Sequence, residues 1–166
     1  MTWADRSRDV PWHGYNSLSI GKVNSELLAR KNRQENQDQY LGWYLLAFDP
    51  VILTHAGVLF STTNNAYTSV TLRAGGREGL EALFAPSVVA YPSRTSVRRR
   101  AKMPYCEPTC RQAEVLYPDS LSLEYLRTIY VIEPEQADWV SAIVSMARID
   151  IVHPRVNIEI KPEVFL

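Results

Sequence analysis

Gln112-Ala113-Glu114-Val115-Leu116-Tyr117-Pro118-Asp119 reads as a short strand that opens on a carboxylate. Val115, Leu116 and Tyr117 are apolar and β-prone, and Pro118-Asp119 stops the run. A glutamate at the first position of a strand presents its side chain at the strand end. There it can accept hydrogen bonds from a sugar or act as a general base. It can equally be an ordinary surface strand residue, or the partner of nearby Arg111.

The stretch just upstream, residues 93–111, has a different composition. It carries Arg94, Arg98, Arg99, Arg100, Lys102 and Arg111 against a single acid, Glu107, and it is broken by Pro104 and Pro108. Hydrophobic periodicity is lacking, so the stretch is predicted to be a long loop. Long loops inside compact domains are uncommon and often functional. Its cations suit backbone phosphates and Tyr105 suits a stacked base; a merely solvated loop has the same composition. Cys106 and Cys110 lie close together, but a structural zinc site normally needs four ligands, and His13, His55 and His153 are far off in sequence. Free thiols and no metal are expected.

Further out, Trp43-Tyr44-Leu45-Leu46-Ala47-Phe48, stopped by Asp49-Pro50, reads as a buried strand, and Val58-Leu59-Phe60-Ser61 as a second. Gly75-Gly76 breaks the chain before Leu80, Leu83 and Phe84, which share one face of a short helix. Val88 to Tyr91 is a strand or the end of that helical region. Ser122 to Leu126 is a helical turn, and Thr128 to Ile132 a clear strand. Pro134 then opens a helix whose apolar stripe is Ala137, Val140, Ile143, Val144 and Ala147. Ile149 to Val152 and Val156 to Ile160 follow as strands around Pro154. Strands with scattered short helices, not strict alternation, predict an α+β fold with a mainly antiparallel or mixed sheet.

The chain has 166 residues and a mass of 18.9 kDa, which predicts a single domain over residues 1–166. With 46% hydrophobic and 22% charged residues it has a globular composition. Eighteen Lys and Arg balance eighteen Asp and Glu, which excludes a histone-like mode of nucleic-acid binding but leaves room for a local basic patch. Without a run long enough to span a bilayer or a secretory leader, the chain is expected to be soluble and cytoplasmic, away from membranes. Gly75-Gly76 lacks the continuation of a Rossmann or P-loop glycine motif, and neither a Ser–His–Asp order nor a His-Glu-x-x-His helix is present. Asn64-Asn65 most simply makes a turn, since Asn tolerates left-handed angles.

Several segments, in chain order, resemble the DarT family of toxins that ADP-ribosylate DNA. Trp12-His13-Gly14-Tyr15 is similar to the family's His-Asp-Tyr-Val segment, with Gly14 in place of Asp. Asp49-Pro50-Val51-Ile52-Leu53, with Gly57 to Ala66, is similar to the strand that ends near an Asn-Ala pair. Gln112 to Asp119 is similar to its Ala-Glu-Val-Leu-Val-Pro segment and is the specific part of the match. Lys161-Pro162-Glu163-Val164-Phe165 is similar to its closing Asn-Pro-Asp-Leu-Phe run. Together the likeness covers about residues 6–165.

The resemblance implies a compact ADP-ribosyltransferase fold with a split central sheet, NAD as the donor substrate, and a base in single-stranded DNA or RNA as acceptor. It implies Glu114 as the catalytic carboxylate and a catalytic arginine at Arg6 or Arg8. His13 and Tyr15 fall where the donor binds. Asn64, Asn65, Arg94, Arg98, Arg99, Arg100, Tyr105 and Arg111 fall on the substrate side, and an antitoxin is implied as a second partner. On this likeness the chain is expected to lack the family's N-terminal NAD-binding segment. Two other readings stand beside this one: a member that keeps the fold and binds nucleic acid without catalysis, and a transferase acting on a protein or small molecule.

Overall fold

The structure, a computed structural model, describes residues 12–26, 28–29, 42–67, 71–90, 95–147 and 156–165. Its contacts divide the chain into two compact units. The first is Met1–Lys22 with Leu53–Leu121, and the second is Val23–Ile52 with Ser122–Leu166.

In the first unit, the predicted strand is β7, Glu114–Pro118, in the interior of an antiparallel four-stranded sheet. On one side lies β1, Tyr15–Leu18; on the other lie β3, Leu59–Ser61, and then β4, Arg73–Gly75. Val115, Leu116 and Tyr117 are all buried, as suits a strand covered on both faces. The Tyr117 hydroxyl shares a 2.8 Å hydrogen bond with His55 Nδ1, which satisfies a polar tip inside the core. Asp119 ends the strand in the left-handed region, at φ 53°, and its N–H donates to Gly14 O at 2.7 Å. An aspartate tolerates that conformation better than most side chains.

Gly75 closes β4, and Gly76, at φ +60°, turns the chain directly into helix α1, Gly76–Ala82. The helix folds back so tightly that a Cβ on Gly79 would sit 2.1 Å from Ala74 O. Leu83, just past the helix, is fully buried. Strand β5, Ser87–Ala90, resolves the ambiguity over Val88–Tyr91 in favour of a strand; Tyr91 itself lies outside the described residues.

The expected loop is corrected in two ways. Its start is a strand, β6, Thr95–Arg98, paired antiparallel with β5. Val97 packs on the buried cluster Val88, Ala90 and Cys110, and that contact holds the short strand despite its arginine. The remainder is a series of hydrogen-bonded turns. Met103 N–H donates to Arg100 O at 3.0 Å, Glu107 N–H to Pro104 O at 3.1 Å, and Ala113 N–H to Cys110 O at 3.0 Å. Thr109 pins the segment down, donating from its N–H to Leu83 O at 2.8 Å and from its hydroxyl to Ala85 O at 2.6 Å.

The second unit holds a three-stranded mixed sheet. Strand β2, Leu45–Phe48, is antiparallel to β8, Leu126–Val131, and β9, Asn157–Ile160, is parallel to β8. Helix α2, Pro134–Met146, starts at its proline as expected. Leu126, Ile129, Val131 and Val140 form its buried core, with Phe48, Ala137, Val144, Val156 and Ile158 packed against it. Two expectations are corrected. The strand before Asp49 is an edge strand with Tyr44 and Leu46 about half exposed, not a buried one, and in the helix stripe Ile143 and Ala147 are exposed. Asp49 and Arg127 form an exposed ion pair at 2.9 Å. The expected Ile149–Val152 strand lies outside the described residues. Among the described residues, no helix is long and apolar enough to cross a membrane.

Candidate active site

The register of the first sheet sets the site. Ser61 lies opposite Glu114 on β7 and opposite Arg73 on β4. Directly opposed residues share a face. Glu114, Ser61 and Arg73 therefore form one row across three strands, with the carboxylate and the guanidinium at its ends. Their strands are separated by two strand spacings, about 10 Å.

The chain leaving β3 crosses that gap. Asn64 and Tyr67 close a turn, with Tyr67 N–H donating to Asn64 O at 3.0 Å. Inside it, Asn64 Oδ1 accepts from Ala66 N–H at 2.9 Å. The expected turn is thus present, but neither asparagine is left-handed; the side-chain hydrogen bond shapes it. The turn aims two donors at the carboxylate. Asn64 Nδ2 donates to Glu114 Oε1 at 3.3 Å, and Asn65 N–H donates to Glu114 Oε2 at 3.0 Å. Each such bond to a charged group is worth about 1.5–3 kcal/mol in a favourable geometry.

Arg73 grips the same turn from the other side. Its Nη2 donates to Asn65 O at 2.5 Å, and its Nε donates to Asn65 Oδ1. The guanidinium also lies over the Trp12 ring, 4.7 Å from its centre, and Trp12 meets the Tyr15 ring at 5.6 Å. Burial, the larger effect, lowers the Arg73 pKa, and the Glu114 carboxylate opposes that shift. A continuous set of contacts therefore runs from Tyr15 through Trp12, Arg73 and Asn65 to Glu114. The turn is also anchored from below: Ser61 Oγ donates to Thr63 O at 2.7 Å, and the Cys110 thiol approaches Thr63 Oγ1 at 3.5 Å. That last contact ties the base of the basic segment to the Asn64–Asn65 turn.

The structure thus brings Asn64 and Asn65 onto Glu114 and links Tyr15 to it indirectly. His13 is exposed in the turn before β1. Arg98, Arg100, Tyr105 and Arg111 are exposed, whereas Arg99 is half-buried on backbone carbonyls. Arg6, Arg8 and Arg94 lie outside the described residues. Cys106 and Cys110 are free thiols, the first exposed and the second buried. Arg73 and Trp12 are the members of the site that sequence reasoning missed. The pairing of β4 with β3 brings Arg73 to the site, and nothing local in Thr71-Leu72-Arg73-Ala74 signals it.

The site is thus a strand-end carboxylate oriented by a turn, directly after a cation-rich segment. The family of single-stranded-DNA thymidine ADP-ribosyltransferases, DarT, matches residues 5–166, and the chain belongs to that family. Among solved structures, Thermosipho africanus DarTG in complex with ADP-ribose is similar in fold. The TM-score is 0.56 at 13% sequence identity, over 92% of this chain and 36% of that one. The chain thus spans little more than a third of the length of that relative. A search of curated proteins finds no significant match.

Proposed function

We propose that this chain transfers ADP-ribose from NAD to thymidine in single-stranded DNA, with Glu114 as the catalytic carboxylate and residues 1–166 working as one transferase domain. The observation that carries this reading is the pair of donors from Asn64 and Asn65 that fix the Glu114 carboxylate at the strand end. In the reaction, the bond between the ribose carbon and nicotinamide breaks, and nicotinamide leaves with the bonding electrons. A carboxylate held beside the ribose stabilises the positive charge that develops there. The base then bonds to the same carbon, and its one ring N–H loses a proton. In this reading Glu114 accepts that proton. ADP-ribose, the ligand of the similar Thermosipho africanus structure, is the group transferred.

Arg73 and the Asn64–Asn65 turn act as positioning groups, since they touch the carboxylate or its ligands. The exposed Arg98, Arg100 and Tyr105 suit the acceptor strand. An enzyme that marks DNA in its own cell needs restraint, so the reading includes an antitoxin as partner and the cytoplasm as the place of action.

The test follows nicotinamide release from NAD with oligonucleotides of defined composition. Release stimulated by thymidine-containing single strands, and not by thymidine-free ones, is the expected result. Stimulation by RNA or by protein alone would redirect the acceptor assignment. Binding of DNA without any release would favour the non-catalytic reading.

A further inference from the structure

Arg98, Arg99 and Arg100 are alike in sequence and unlike in the fold. Arg98 and Arg100 are exposed. The Arg99 guanidinium instead lies 5.8 Å from the centre of the Phe84 ring and reaches two backbone carbonyls. Its Nη1 donates to Glu107 O and its Nη2 to Pro104 O, each at 2.7 Å. Those carbonyls belong to the two ends of the Pro104–Glu107 turn, which its own 3.1 Å hydrogen bond closes. Gly21, at φ +73°, packs against the same turn, and a Cβ there would come within 2.8 Å of Cys106 O. Tyr105 occupies the second position of this turn and is 96% exposed.

A fully exposed aromatic ring at the tip of a turn tied on both flanks is a stacking surface carried on a fixed backbone. Ordering it in advance removes a cost that a flexible loop meets on binding. Stacking on such a ring tolerates any base. We infer that Arg99 is a staple, not a phosphate ligand: it fixes the Pro104–Glu107 turn so that Tyr105 is presented to a base of single-stranded DNA, while Arg98 and Arg100 meet the phosphates. This rests on the proposed DNA acceptor.

The test titrates the full chain with a labelled thymidine oligonucleotide at three salt concentrations. The variants are Arg98→Ala, Arg99→Ala, Arg99→Lys, Arg100→Ala, Tyr105→Ala and the Arg99→Ala/Tyr105→Ala pair. Losing one phosphate contact lowers the slope of log affinity against log salt by about 0.7. That change is expected for Arg98→Ala and Arg100→Ala. Arg99→Ala should leave the slope unchanged and weaken binding toward the level of Tyr105→Ala, about 5- to 150-fold. The double variant should bind no worse than Tyr105→Ala. Arg99→Lys keeps the charge but cannot bridge two carbonyls, so it should behave as Arg99→Ala does.

A lowered slope in Arg99→Ala, full affinity in Arg99→Lys, or multiplied losses in the double variant would each overturn the staple while leaving the DNA reading intact. Failure of the unsubstituted chain to bind the oligonucleotide would overturn both.

Discussion

Beside its apolar core the first unit buries Ser61, Thr62, Thr63, Asn65, Thr71 and Thr109, whereas among the described residues the second buries Ile52, Leu126, Ile129, Val131 and Val140, with Thr128 the polar exception. Every polar side chain in the first group has a partner. Ser61 donates to Thr63 O, Thr62 Oγ1 accepts from Leu72 N–H, and Thr63 Oγ1 takes the Cys110 thiol. Asn65 Oδ1 accepts from Arg73, Thr71 donates to Asn64 O, and Thr109 donates to Ala85 O. Burying a polar group gains little net free energy even when it is paired, and costs about 1–3 kcal/mol when it is not. What paired polar groups supply is fixed geometry. The first unit therefore adds a fixed polar frame that holds a carboxylate to an apolar core of its own, which includes Phe60, Leu83 and Val115, while the second relies on apolar burial.

That contrast can be broken by substitutions in each unit. Glu114→Gln should have the largest effect, lowering turnover at least ~100-fold, as expected for a lost acid–base group. Its melting temperature should stay close to that of the unsubstituted chain. Val131→Ala in the second unit should do the reverse. It should cost about 2 kcal/mol in denaturant unfolding, from lost burial and a residual cavity, with kcat within about twofold below the melt. A large loss of kcat there would end the division of labour.

Arg73→Ala comes next. It removes both bonds to Asn65 and the stack on Trp12, which should loosen the turn that orients Glu114. A fall in kcat of about tenfold is expected, equivalent to about 1.4 kcal/mol, with the larger change in kcat and not in KM. Arg73→Lys should restore little, since a single ammonium cannot reproduce the paired geometry. A change confined to KM would assign Arg73 to ground-state substrate binding instead.

The smallest effect is a pH dependence in the second unit. The Val51 N–H, and then Arg127, hold the Asp49 pKa below its ordinary value of 3.8. A group whose folded pKa is depressed stabilises the fold above its unfolded pKa and loses that contribution as pH falls through the folded value. Asp49→Asn should therefore be slightly less stable than the unsubstituted chain near neutral pH, and the difference should close below pH 3.8. Exposed pairs contribute little, so careful melts are needed. A difference that grows on acidification would contradict the assignment.

The central strand and the long helix were legible because their signals are local. Val115-Leu116-Tyr117 is an apolar run with a proline stop, and Pro134 opens a helix with three of its stripe residues inward. Strand β1 was not legible: Tyr15-Asn16-Ser17-Leu18 has a polar middle and is a strand through its pairing with β7. β6 was hidden by Arg98 and the arginines that flank the strand in sequence, since only Val97 marks an inward face. At the site, Glu114 was readable from its place before an apolar run and from family likeness. Arg73 was not, because its position depends on two strand registers that no local pattern encodes. The three consecutive arginines are the sharpest case. Their composition suggests three equivalent phosphate ligands, and backbone geometry sets the middle one apart.

The most direct test of the central claim is the mass of a thymidine-containing single-stranded oligonucleotide after incubation with NAD and either the unsubstituted chain or Glu114→Gln. The account predicts a gain of one ADP-ribose with the former and an unchanged mass with the latter over the same interval. An equal gain with both proteins would contradict it.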